Sequence, residues 1–139
     1  MAHWLLKSEP FKYSWDQMVK DGRTHWDGVR NHQAAANLKA MRVGDHAFFY
    51  HSNEGKEIVG IVEIVREAYP DPSDEAARFV MVDVSPVRAV KVPVTLAQMK
   101  ADTALADLAL IRQSRLSVVP VSDAHWAYIL GLASPTTST

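Results

Sequence analysis

The sequence predicts a mainly β domain with peripheral helices, of the α+β class, built around a compact, partly closed β-barrel. Three observations predict it. The chain has 139 residues, enough for one domain and one real core. Five or six short runs of β-branched and aromatic residues are separated by turn signals. Between and after them lie short segments that open with helix-capping residues. Hydrophobic residues are 47% and charged residues 22%, the globular average, which excludes disorder and collagen-like repeats.

Residues 3–7 are an apolar run ended by Ser8-Glu9-Pro10 and read as a buried strand. Ser14 and Gln17 have capping-box spacing, so 15–20 forms a short helix closed by Asp21-Gly22. Residues 25–31, His-Trp-Asp-Gly-Val-Arg-Asn, fit neither the helical nor the strand period and read as a loop holding a large aromatic. Asn31 caps a helix over 32–41, whose alanines favour it. Val43-Gly44-Asp45 is a turn. Residues 46–51 form an aromatic strand, and Asn53-Glu54-Gly55 marks a hairpin turn. Residues 57–66 are almost continuously apolar and suit a strand buried on both faces. A loop over 69–73 carries two prolines. Residues 79–85 alternate as a strand, and 87–92 form another. Thr95 and Gln98 cap a helix over 95–101, and 105–110 is a second short helix. Residues 115–121 are the last strand. Ser122-Asp123 cap a helix over 124–132. The domain therefore spans 1–133, with 134–139 a polar, frayed tail.

Composition excludes several functions. There are no cysteines, which removes disulfide scaffolds, thiolate metal sites and a cysteine nucleophile. Net charge is −1. Residues 1–70 hold nine basic and nine acidic side chains, and 71–139 hold six and seven. No basic arm exists to drive non-specific nucleic-acid binding, although a local basic rim is compatible with this balance. Apolar stretches such as 126–133 fall far short of the ~20 residues of a membrane span, and the N-terminal apolar run is too short for a signal peptide. The expected compartment is the cytoplasm, with no membrane and a monomeric state.

The six histidines form no i, i+4 pair and no recognised metal motif, so no metal or cofactor is expected. His51-Ser52 suggests a hydrolase pair. Neighbours on a strand point to opposite faces, however, and no nucleophile elbow or phosphate-binding glycine loop is present. No catalytic residues are assigned. Trp26 is more informative. It reads equally as a core plug or as a stacking platform, and its polar loop, with Arg30 and Asn31, favours the second. Arg30 can alternatively pair with Asp27 or Glu9. Lys7-Ser8-Glu9, Tyr50-His51-Ser52 and Arg115-Leu116-Ser117 are polar triplets at strand ends. In a barrel they can converge on one rim and make a pocket.

These residues also carry a resemblance. Trp4-Leu5-Leu6-Lys7-Ser8-Glu9-Pro10, Trp26-Asp27-Gly28-Val29-Arg30-Asn31, Gly44-Asp45, Phe49-Tyr50-His51-Ser52-Asn53, Val59-Gly60-Ile61, Tyr69-Pro70-Asp71 and Arg115-Leu116-Ser117-Val118 closely resemble the EVE domain family, in order, over residues 3–132. The resemblance implies a PUA-like pseudobarrel, the fold class of YTH and ASCH domains, and no established catalysis. It implies binding of modified nucleic acid, DNA or RNA, with a modified base such as methylated cytosine in the pocket. The implied ligand-binding residues are Trp26, Val29, Arg30 and Asn31 from the loop. Lys7, Ser8, Glu9, Tyr50, His51, Ser52, Arg115, Leu116 and Ser117 come from strand ends. The chain departs from the family's Tyr-Gln-Ala-Arg-Asn after Asn31, reading His32-Gln33-Ala34-Ala35-Ala36, and has Val119 where glutamine is common. A small-molecule or partner-binding module using the same pocket is the alternative. A basic rim, with Lys7, Arg30, Lys39, Arg42, Arg112 and Arg115 as candidates, separates the two.

Overall fold

A computed structural model gives the structure and describes residues 2–76 and 78–134. Among these, six strands form a sheet in the order β2-β5-β4-β3-β1-β6. They are β1 (His3–Ser8), β2 (Thr24–Trp26), β3 (His46–His51), β4 (Glu57–Pro70), β5 (Val80–Thr95) and β6 (Val118–Val121). All neighbours are antiparallel except β1 and β3, which run parallel. Five helices flank the sheet: α1 (Trp15–Asp21), α2 (His32–Ala40), α3 (Leu96–Ala101), α4 (Ala109–Arg112) and α5 (Asp123–Ala133). The expected mainly β, α+β architecture is present. No described helix is long and apolar enough to cross a membrane.

The helices start where side chains can satisfy free backbone N–H groups. Ser14 Oγ accepts from the Gln17 N–H at 3.1 Å, and Asn31 Oδ1 from Ala34 at 2.9 Å. Thr95 Oγ1 accepts from Gln98 at 3.0 Å, and Ser122 Oγ from His125 at 3.1 Å. Each of these caps was expected. Gly22, at φ +70°, closes α1 by donating its N–H to the Met18 carbonyl.

The strands depart from expectation in informative ways. The strand expected over 57–66 continues to Pro70, so Tyr69 and Pro70 are strand rather than loop. The runs 79–85 and 87–92 are one strand, β5. Pro86, between the two expected runs, lies at a register shift against Val62 and beyond the last β2 pair, Thr24↔Val84. Edges and bulges are where strands tolerate proline. The register slips four times between β4 and β5, and such bulges bend the sheet. Thr24 to Trp26 pair with Val82 to Val84, so the start of the expected 25–31 loop is strand. The last strand is confined to Val118–Val121, and the helix expected over 105–110 is a 3-10 turn (Thr103–Leu105) followed by α4. The expected 134–139 tail lies outside the described residues beyond Ser134.

The core runs from α1 to α5 across the sheet. Phe48, Phe49, Leu5, Leu6, Ile58, Ile61 and Ile64 are fully or almost fully buried. On one side Trp126 of α5 stacks on Phe48 (3.9 Å between centroids) and His3 (4.3 Å). On the other, the Trp15 ring lies against Gly60 of β4 and edge-on to Phe49 at 5.5 Å. Val119, one of the departures from the family pattern, is fully buried opposite Leu5 in the β1–β6 pair.

Candidate functional site

Because β1 and β3 are parallel, their C-terminal ends emerge on the same side of the sheet. Lys7 pairs with Tyr50 and Ser8 with His51. The Ser52 N–H donates to the Ser8 carbonyl (2.9 Å), and the Lys7 N–H to the Ser117 carbonyl (3.0 Å). The three polar triplets therefore stand side by side on one rim.

Two adjoining cavities open there. The first, of about 410 Å³, is lined by the end of β1 (Lys7, Ser8) and Glu9 after it, by Lys12 and Tyr13, and by Trp26 of β2 with Asp27 after it. Trp26 is 9% exposed and belongs to the core. It meets Phe49 edge-on at 5.6 Å on one side and Tyr13 edge-on at 6.4 Å on another. It is thus both core and wall, and its orientation is fixed by packing. Burial, reinforced by the bond to Asp21 (2.7 Å), pushes the Tyr13 hydroxyl up to about 12, so it stays protonated. Ser8 Oγ donates to the Tyr13 carbonyl and holds this wall to β1.

The second cavity, of about 790 Å³, shares Lys7, Glu9 and Lys12 with the first. Tyr50, Ser52, Arg115 and Ser117 also line it, with Lys56 after the β3–β4 turn and Lys100 of α3. Burial raises the Tyr50 phenol to about 12 and lowers the Lys7 ammonium, whose Nζ donates to the Ser114 carbonyl at 2.8 Å.

The remaining expected residues sit elsewhere. Val29 is buried core. Arg30 lines neither cavity: its guanidinium reaches Asp71 (3.3 Å) and Ser73 (2.9 Å), not Asp27 or Glu9, and lies 5.6 Å from the centre of the Phe79 ring. Asn31 spends its side-chain oxygen on the α2 cap, and lines a third, polar cleft with Arg115 and Leu116. His51 turns to α1, its Nε2 accepting the Trp15 N–H at 3.1 Å, so this ring is an acceptor and neutral. Burial lowers its pKa accordingly.

Asp71 clasps the 27–31 segment. Its side chain is wholly buried, and Oδ2 accepts from the Gly28 N–H (2.8 Å) and Arg30, while Oδ1 accepts from the Ser73 N–H and hydroxyl. Burial alone raises a carboxyl, but the hydrogen bonds from Ser73 and Gly28 outweigh it and hold Asp71 at about 2. Lys12, Tyr13, Thr24, His25, Asp27, Lys56 and Lys100 also line these cavities, and the sequence reading assigned none of them to the site. The signal available was thin: Tyr13 is an aromatic next to a cap, and Lys56 follows a glycine turn.

The EVE domain family model matches residues 2–132. Human thymocyte nuclear protein 1 is 35% identical over 94% of this chain and 73% of its own length. A Rhodopseudomonas palustris protein solved by NMR is 55% identical, with a TM-score of 0.91 over 96% of this chain and 93% of that one. Human thymocyte nuclear protein 1 in complex with DNA containing 5-methylcytosine superposes with a TM-score of 0.88 at 35% identity, covering 96% of this chain and 98% of that one. A YTH domain from Zygosaccharomyces rouxii, at 14% identity and a TM-score of 0.61 over 96% of this chain and 86% of that one, shares the fold, a PUA-like pseudobarrel.

Proposed function

The chain belongs to the EVE domain family, and from that premise we propose that it is a non-catalytic reader of modified bases in nucleic acid, with the base held against Trp26. The observation that carries this reading is the Trp26 cavity, in a chain whose human relative was solved on DNA containing 5-methylcytosine. A flat base needs a rigid aromatic face and polar groups at its edge. Trp26 supplies the first; Ser8, Glu9 and Asp27 stand around it as the second. Lys7, Tyr50, Ser52, Arg115 and Ser117 belong to the same rim in this reading. Val29, Arg30, Asn31, His51 and Leu116 position it from behind. Residues 1–133 act as one domain, as a monomer, in the cytoplasm, without metal or cofactor.

The test is binding to paired oligonucleotides differing in one 5-methylcytosine. A stacked base contributes roughly 1–3 kcal/mol, so Trp26→Ala weakens binding about 5- to 150-fold. Because Trp26 is also core, Trp26→Phe and a thermal melt accompany it. If a folded Trp26→Ala binds the methylated strand as tightly as wild type, the assignment is wrong.

A further inference from the structure

The second cavity is cationic out of proportion to the chain. Net charge is −1, yet Lys7, Lys12, Lys56, Lys100 and Arg115, five of the fifteen Lys and Arg, line this one cavity with Glu9 its single carboxylate. They arrive from separate places: the end of β1, the segment before α1, the turn before β4, α3 and the approach to β6. No charge run produces this cluster; the fold assembles it. Lys12 is paired with Glu9 at 3.3 Å. Among the described residues, Lys56, Lys100 and Arg115 have no carboxylate within 4.0 Å. Concentrating unpaired cations is electrostatically unfavourable unless something anionic compensates. Ser52, Asn53, Ser114 and Ser117 add hydroxyl and amide donors of the kind that bind phosphate oxygens.

We propose that this second cavity seats the phosphodiester backbone flanking the modified base, an inference that rests on the base-reading function above. The two cavities meet at Lys7, Glu9 and Lys12. A base stacked on Trp26 projects its sugar and phosphate across that sill, and the neighbouring phosphates fall among Lys56, Lys100 and Arg115. The ligand is then a strand and not a free nucleoside, and affinity depends on salt although the protein as a whole is nearly neutral.

The experiment uses a five-nucleotide single strand with a central 5-methylcytosine and its unmodified twin, titrated from 50 to 200 mM salt by fluorescence anisotropy. The proteins are wild type, Lys56→Gln/Lys100→Gln, and a control, Lys39→Gln/Arg42→Gln: these two residues, expected as rim candidates, line neither cavity and lie before the start of β3, at the end of the strand away from His51. Each lost phosphate contact makes the slope of log K against log salt shallower by about 0.7 for a single strand. Two lost contacts mean that wild type loses about sevenfold more affinity across that range than Lys56→Gln/Lys100→Gln does. The preference for the methylated strand stays unchanged, and the control follows wild type. An unchanged slope in Lys56→Gln/Lys100→Gln, or an equal change in the control, overturns the phosphate groove. Loss of the methylated-over-unmodified preference in wild type overturns base reading alone, with the slopes still deciding the groove. Absence of any binding overturns both.

Discussion

Gly60→Ala is the sharpest structural perturbation the molecule offers. Gly60 sits in β4, opposite Phe49 of β3, and the Trp15 ring lies flat above it. A Cβ built there meets three carbons of that ring at 2.5–2.6 Å. Ordinary carbon–carbon contact is about 3.5–4.0 Å, so the overlap is about 1 Å over a rigid surface. Trp15 has little room to retreat. It is 8% exposed, its backbone N–H is tied to His51, and its ring abuts Phe49. Overpacking of this kind costs about 1–3 kcal/mol. Stiffening of the unfolded chain by alanine returns about 0.4–1 kcal/mol. The net expectation is a loss of about 1–2 kcal/mol, or about 3–10 °C in Tm for a domain of this length. Calorimetry on four proteins isolates the cause: wild type, Gly60→Ala, Trp15→Phe and the double variant. Trp15→Phe removes the outer part of the indole, so the double variant is less destabilised than the sum of the singles by at least about 0.5 kcal/mol. Strict additivity, or a Gly60→Ala melt within 1 °C of wild type, refutes the contact as the reason for glycine at this position.

Two further expectations concern the groups behind the rim. Asp71→Asn sets an N–H₂ against donors from Gly28 and Arg30 or from Ser73 and costs about 2–3 kcal/mol, at the low end because Arg30 is partly exposed; urea melts measure it. Native Asp71 titrates at about 2, below the ordinary 3.8, so its contribution is complete above the ordinary value and is lost as pH falls towards 2, a loss absent from the variant. For His51 the native pKa lies below the ordinary 6.5, so below that value the unfolded chain binds more protons than the native one. Stability is therefore full above pH 6.5 and declines as pH falls from there through the lowered native value. His51→Gln flattens that limb in denaturant titrations taken from about pH 7.5 to 5; an unchanged limb shows that other groups set it.

What was legible in the sequence follows from how local the physics is. Ser14, Asn31, Thr95 and Ser122 each cap a backbone N–H three residues away, so four helix starts could be read directly. The rim was legible because polar triplets closing apolar runs must lie at strand ends. What brings them together, the parallel β1–β3 pairing, depends on partners some forty residues apart and has no local signature. Trp26 looked like a loop aromatic because its strand is three residues long and is created by β5, sixty residues away. Arg30 looked like a ligand contact because nothing near it in sequence announces Asp71 as its partner. Of the second cavity's cations Lys7 and Arg115 were read from the sequence, and Lys12, Lys56 and Lys100 were missed for the same reason: Lys56 and Lys100 become neighbours of Lys7 only when the sheet has closed.

The position of β1 governs when that closure happens. Its residues pair on one side with β3 and on the other with β6, where Leu5 faces Val119, 114 positions later. At a synthesis rate of about 5–20 residues per second, one edge of this strongly apolar strand waits roughly 6–23 s for its partner to be made. An open apolar edge over that interval is a template for wrong pairing. Sequence-distant pairing of this kind also slows folding once the chain is whole. The Lys7 N–H meets its Ser117 acceptor only at that last step. Nascent chains stalled before residue 118 therefore carry Trp26 and its neighbours without a finished rim around them.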